Sequence, residues 1–196
     1  MAHRYPLNLA FKVLALAPQL SVTDADGRQV LYIRQKLFKL KESVTIYEDD
    51  TQSTPLYHIN ADRILDISAR YHITDVSGHY VGTLRRHGLK SIWRSHYDIL
   101  DADTPIMTIR EANPWVKLID ELVGEVPVLG FFTGYIFHPV YEVTAHEGMP
   151  LMRMEKQPAF FESRFKIESR GVLDEKSERL ALLSLIMTVL LERSRG

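Results

Sequence analysis

The sequence predicts a mainly β fold, a barrel or sandwich that closes around a buried terminal helix. Three observations predict it. A strand–acidic turn–strand unit recurs along the chain, the pieces between its copies alternate polar and apolar residues, and the C-terminus carries a helix that is apolar on every side.

The chain opens on "LNLAFKV" (Leu7–Val13), whose alternation reads as a strand. Four segments then line up: Leu20–Arg34, Tyr71–Arg85, Tyr97–Arg110 and Tyr141–Met154. Val22, Ile73, Ile99 and Val143 mark the first strands, and Ile33, Leu84, Ile109 and Met154 the second. A fifth copy, Val44–Ile59, has a longer turn. Ile46 to Ile73 is 27 residues and Ile73 to Ile99 is 26, a period that sets the architecture before any local feature does. Asp, Ser and Gly at Asp24–Gly27 and Asp75–Gly78 supply the side-chain bonds and positive φ of tight hairpins. The same turns are too short for the ~6–8 oxygen ligands of a calcium loop. Three further alternating pieces, Arg34–Glu42, Ala61–Ala69 and Arg86–Arg94, look like additional strands.

Two helices interrupt the pattern. Asn113–Gly124 has an N-cap Asn, Pro at the first helical position and a terminating Gly. It opens an insertion, 113–137, that ends in the apolar, aromatic stretch Val126–Phe137. The closing helix, 174–195, has Asp174 as its N-cap, and from Leu180 to Leu191 only Ser184 and Thr188 are polar. A helix apolar all round must be buried on every side. Twelve residues rise ~18 Å, too short for a bilayer and suited to threading a closed sheet.

Length and composition bound the rest. The 196 residues suffice for one domain spanning 1–196. Hydrophobic residues make up 45% and charged residues 25%, an ordinary globular balance. A net charge of −1 supplies no global pull toward nucleic acid or membrane, so any such attraction is local. Cysteine is absent, which excludes disulfides, thiolate nucleophiles and Cys-ligated zinc and fits a reducing, cytoplasmic setting. Arg4 and Ala15-Leu16-Ala17 have the outline of a secretory leader, but Lys12 inside the apolar stretch and Pro18 after the cut argue against one.

In "YIRQKLFKLKESVTIYEDD" (Tyr32–Asp50), in the repeated strand–Asp–x–x–Gly–strand units and in the closing helix, the sequence resembles the LURP-one-related proteins of the tubby-like superfamily, which also holds the phospholipid scramblases. That resemblance implies a twelve-stranded antiparallel barrel with the C-terminal helix through its centre. Tubby-type domains bind phosphoinositides through basic residues, but no motif carries those positions onto this sequence. The proline-rich region, cysteine cluster and acidic calcium-binding segment of scramblases have no match here.

The candidate binding residues lie in Val76–Tyr97, a 22-residue stretch without an acid. Arg85, Arg86, Lys90 and Arg94 are interleaved with His79, His87 and His96, and Trp93 adds an amphipathic ring. Such a stretch suits anionic headgroups of the phosphoinositide kind, although strand alternation would divide it between two faces. Phe131 and Phe132 are candidates for membrane or partner contact if their segment is an exposed flap, and plug the barrel end if it is buried. His146-Glu147 begins like a zinc-protease motif but ends at Gly148-Met149. With no GxSxG, phosphate-binding loop or GxGxxG, no catalytic residue, metal or cofactor is expected. The sequence thus points to a binding or scaffolding module, with an anionic lipid surface or a protein as partner and no nucleic acid. An enzyme with a site at a barrel mouth, or a lipid transporter, is the alternative.

Overall fold

The computed structural model describes residues 3–12, 19–34, 43–62, 69–87, 95–112, 139–159 and 162–193. The expected helix at Asn113–Gly124, the stretch Val126–Phe137 and most of the three additional alternating pieces lie outside them. Among the described residues are twelve strands and one helix. The strands are β1 (Leu7–Lys12), β2 (Gln19–Thr23), β3 (Gln29–Arg34), β4 (Ser43–Tyr47), β5 (Pro55–Ala61) and β6 (Arg70–Asp75) in the first half. The second half supplies β7 (Tyr80–Arg86), β8 (His96–Asp101), β9 (Thr104–Ala112), β10 (Val140–Ala145), β11 (Pro150–Gln157) and β12 (Ser163–Ser169). Each strand pairs antiparallel with its sequence neighbours, and β12 pairs with β1, so the sheet is a closed up-and-down barrel. Closure leaves no unpaired sheet edge.

The five hairpins β2–β3, β4–β5, β6–β7, β8–β9 and β10–β11 are the repeat read from the sequence. Each carries a register shift at the same place, after Val22, Ile46, Ile73, Ile99 and Val143. A bulge adds local twist, which a closing sheet needs. All five of these residues are fully buried. So are Ile33, Ile59, Leu84, Ile109 and Met154 on the second strands of the same hairpins. Each hairpin turn also holds one residue at positive φ: Gly27, Gln52, Gly78, Ala102 and Gly148. Asp75 shows why the acidic turns close. Its Oδ1 accepts the backbone N–H groups of Ser77 and His79, 2.9 Å away in each case. Asp24 does the same for Asp26 and Arg28. These aspartates form the turns, as their spacing predicts.

The helix α1 (Glu175–Arg193) is buried at every position from Leu180 to Leu191. Asp174 caps it, accepting from the Ser177 backbone N–H at 3.1 Å and from the Ser177 hydroxyl at 2.5 Å. Thr188 returns its hydroxyl to the Ser184 carbonyl at 2.9 Å, so a buried polar atom is satisfied inside the helix. Gly82 on β7 makes room for α1: a Cβ there would stand 2.4 Å from Leu180 Cδ1. The helix enters at the hairpin-turn end, where Lys176 meets Asp101 at 2.7 Å, and leaves at the other end, where Tyr97 donates to Glu192 at 2.5 Å. The interior is therefore a packed apolar core.

The outside of β10–β12 is charged. Arg153 lies 3.3 Å from both Glu142 and Glu155, and Lys166 lies 2.8 Å from Glu168. A membrane-spanning barrel carries an apolar band there and a polar lumen; this one has the reverse arrangement. No helix among the described residues is long and apolar enough to cross a membrane.

Candidate functional site

Hairpin turns occupy one end of the barrel, and the longer connections, 13–18, 35–42, 63–68, 88–94 and 113–138, leave from the other. At that loop end the last residues of β7 face the first residues of β8. Arg85 pairs with Asp98 and Arg86 with Tyr97 in the register, and the His87 backbone N–H donates to the His96 carbonyl at 3.0 Å. Alternation puts Arg85, His87, Asp98 and His96 on the outer face, two from each strand.

These four side chains form one cluster. Arg85 Nη2 and His87 Nε2 both approach the same carboxylate oxygen, Asp98 Oδ2, at 2.6 Å. The His87 and His96 rings stack with centroids 4.2 Å apart and 25° between planes. Asp98 is only 5% exposed. Burial alone would push its carboxyl up, but the hydrogen bonds and charges of Arg85 and His87 outweigh burial and hold it below the ordinary aspartate range. Donor atoms of His87, His96 and Asp98 fall within 4.8 Å of one another, the only such group of three among the described residues. With Arg85 and His87 both on Asp98 Oδ2, the arrangement as it stands is an ion-pair network. Arg110 on β9 stands opposite His96 in the register and is exposed.

Among the described residues of the basic stretch, Arg85 and Arg86 take opposite faces of β7. The stretch spans the whole of β7, so its first part lies at the turn end, where His79 pairs with Asp75 at 3.0 Å. Arg85 is committed to Asp98 on the outside. Arg86 acts electrostatically on Tyr71 and Tyr97, both of them core residues. Lys90, Trp93, Arg94, Phe131 and Phe132 lie outside the described residues. Sequence reasoning missed Asp98 and Arg110. Asp98 follows directly on the acid-free stretch, and only the β7–β8 register shows that it faces Arg85.

Inside the mouth, Tyr97 and Tyr141 are buried near Glu192. Burial first, then carboxylate charge, pushes both phenols well above their ordinary range. Both stay protonated, and Tyr97 donates to Glu192. Ser95 is buried, and its hydroxyl is engaged by the Tyr141 phenol rather than offered to His87. The Asp98–His87 pair thus lacks, from this neighbour, the nucleophile that would make it a general-base dyad.

No curated protein matches the chain. The LURP-one-related family model matches residues 29–125, from the first residue of β3 through β9, and so contains the whole Arg85–His87–His96–Asp98 cluster. Together with the closed barrel and its central helix, this match places the chain: it belongs to the LURP-one-related family.

Proposed function

We propose that the protein is a non-enzymatic binding module that docks on anionic headgroups, of the phosphoinositide kind, through the outer face at the loop end of the barrel. The observation that carries this reading is the placement of charge. The interior is filled by α1, while Arg110 and the two stacked histidines lie on the outer face beside the β7–β8 connection that bears Lys90, Trp93 and Arg94. This is a peripheral mode of attachment, and the tubby-like resemblance supports it. No described hydroxyl is bonded to the His87–Asp98 pair, as an enzyme reading would want.

The magnitude is modest. Near an anionic surface each Lys or Arg contributes ~1 kcal/mol, so Lys90, Arg94 and Arg110 together give ~3 kcal/mol, weaker than millimolar without a second signal. Stable attachment takes an apolar anchor as well. The exposed Val76, Met149 and Val172 sit at the turn end, away from this face. The anchor assigned here is therefore Trp93 or the Phe131-Phe132 pair.

Sedimentation with vesicles containing phosphatidylserine or a phosphoinositide tests the proposal. Wild-type protein is expected to sediment at low salt and to be released as salt rises. Reversal of Lys90, Arg94 and Arg110 to Glu is expected to abolish sedimentation, and Val172→Asp to leave it intact. Arg85 is left unchanged, because reversing it would strand Asp98. Failure of the wild type to sediment at low salt, or equal binding by the reversed protein, overturns the lipid reading and leaves a protein partner.

A further inference from the structure

Within the outer-face cluster, two imidazoles and a carboxylate stand close enough to share one ion. The donor atoms of His87, His96 and Asp98 lie within 4.8 Å of one another. No short-range spacing announces the group. His87 and His96 are nine residues apart in sequence, and the pairing of β7 with β8 seats them side by side. The His87 backbone N–H donates to the His96 carbonyl at 3.0 Å, and both strands belong to a closed barrel, so the backbone under the three side chains is held.

Only the side chains have to adjust. Two ligands of a tetrahedral zinc ion, each about 2.1 Å from the metal, stand roughly 3.4 Å apart. The 2.6 Å contact of His87 Nε2 with Asp98 Oδ2 therefore opens by under about 1 Å, and wider separations close by no more than about 1.4 Å. The His87 and His96 rings stack with 25° between planes, so one turns about its χ angles for both lone pairs to meet the ion. The His87 side chain is 34% exposed and His96 is half-buried, which leaves that turn open on the solvent side. The ion takes the place of the proton between His87 and Asp98. A carboxylate has two oxygens, so Arg85 keeps one and orients Asp98 while the ion takes the other.

We infer that His87, His96 and Asp98 form a site for one divalent transition-metal ion of the zinc class, with Arg85 positioning Asp98. Two imidazoles and one carboxylate suit zinc and its neighbours, whereas calcium and magnesium take oxygen ligands. Three protein ligands leave a fourth position for water. Arg85 and Arg110 work against a dication, but Arg85 is paired with Asp98, and Arg110 is exposed, where salt screens it. The inference does not rest on headgroup docking, because the ion is read without vesicles.

The test is calorimetric titration of Zn2+ into the EDTA-treated, dialysed full chain, with Ca2+ as the second probe. Zn2+ is expected to bind one to one with a Kd below about 10 µM, and Ca2+ at least tenfold more weakly. His96→Ala and Asp98→Asn are each expected to weaken Zn2+ tenfold or more. His146→Ala, exposed in the β10–β11 turn at the other end of the barrel, is expected to bind as the wild type does. Imidazole resonances of the wild type, followed by NMR, serve if the site variants do not fold: those of His87 and His96 should shift together and saturate at one equivalent. Absence of saturable Zn2+ binding below about 10 µM, Ca2+ binding of equal strength, undiminished binding by His96→Ala, or saturation that moves other histidines and not these two overturns the inference.

Discussion

The two ends of the barrel are made by different chemistry. At the turn end each hairpin closes locally, with Lys176–Asp101 and Arg4–Asp26 added across the surface: Asp24 and Asp75 bond backbone groups two and four residues on, and one residue per hairpin takes positive φ. At the loop end the contacts join residues far apart in sequence. Tyr97 reaches Glu192, Arg193 reaches Ser163 and stands over the Phe11 ring at 4.5 Å, and Asp98 gathers Arg85 and His87. Local chemistry fixes where the chain reverses. Long-range chemistry fixes which side chains meet, and there the candidate binding face forms.

Helix α1 touches both ends, so breaking it should erase the difference between them. Leu183 is 1% exposed. Leu183→Asp places an unpaired charge in the core, and the expected cost of more than about 4 kcal/mol is a large share of a domain's net stability. Far-UV circular dichroism during urea titration should show loss of the cooperative transition. A chain truncated after Leu173 should fail in the same way. If that truncated chain melts cooperatively, the helix is not what holds the barrel together.

The next largest effect separates the loop end from the turn end. Arg85→Ala removes a donor from a buried carboxylate, whereas Asp98→Asn removes the charge that needs it. Partial exposure of Arg85 and His87 screens the pair, so Arg85→Ala is expected to cost about 1–2 kcal/mol. The double variant should cost less than the sum of the two single changes. The pH dependence follows in sign. Asp98 titrates lower in the folded protein than its unfolded value of about 3.9, so its contribution is present above that value and lost as pH falls through the folded one. Wild-type melting temperature should therefore fall more steeply below about pH 4 than that of Asp98→Asn. Parallel curves for the two proteins would show that the network adds no stability.

How far the sequence reveals each region follows the same division. The barrel is readable because inward positions repeat every second residue and the hairpins repeat along the chain; Val22, Ile73, Ile99, Val143, Ile33, Leu84, Ile109 and Met154 are all buried as the pattern requires. The burial of Leu180–Leu191 and the Asp174 cap are readable too, since helix periodicity and capping are properties of a few neighbouring residues. The Arg85–Asp98 pair is not, because a period of two says which face a residue takes but not which residue stands across from it. For the stretch from Val76 to Tyr97 the sequence shows that alternation divides it between two faces, but not what stands opposite each residue. Its described part, 76–87, runs along β7 from one end of the barrel to the other, and the acid that pairs with Arg85 lies on the neighbouring strand.

The smallest expected effects lie within the turn end and test whether its closures are as local as they look. Gly78 has φ +82 and a Cβ there would meet nothing within 4 Å, so Gly78→Ala changes backbone strain alone. An L-residue in the left-handed region costs roughly 1–2 kcal/mol, and the variant should lose that much. The β8–β9 turn offers the mirror experiment, because Ala102 already sits at φ 53. Ala102→Gly relieves the same strain but gives the unfolded chain more freedom, an offset of about 0.4–1 kcal/mol. The net is a gain of a few tenths to about 1 kcal/mol, opposite in sign to Gly78→Ala. Thermal melts of the two variants should bracket the wild type. If both lower the melting temperature, Ala102 is held by contacts beyond its own turn, and the turn end is less local than its hydrogen bonds indicate.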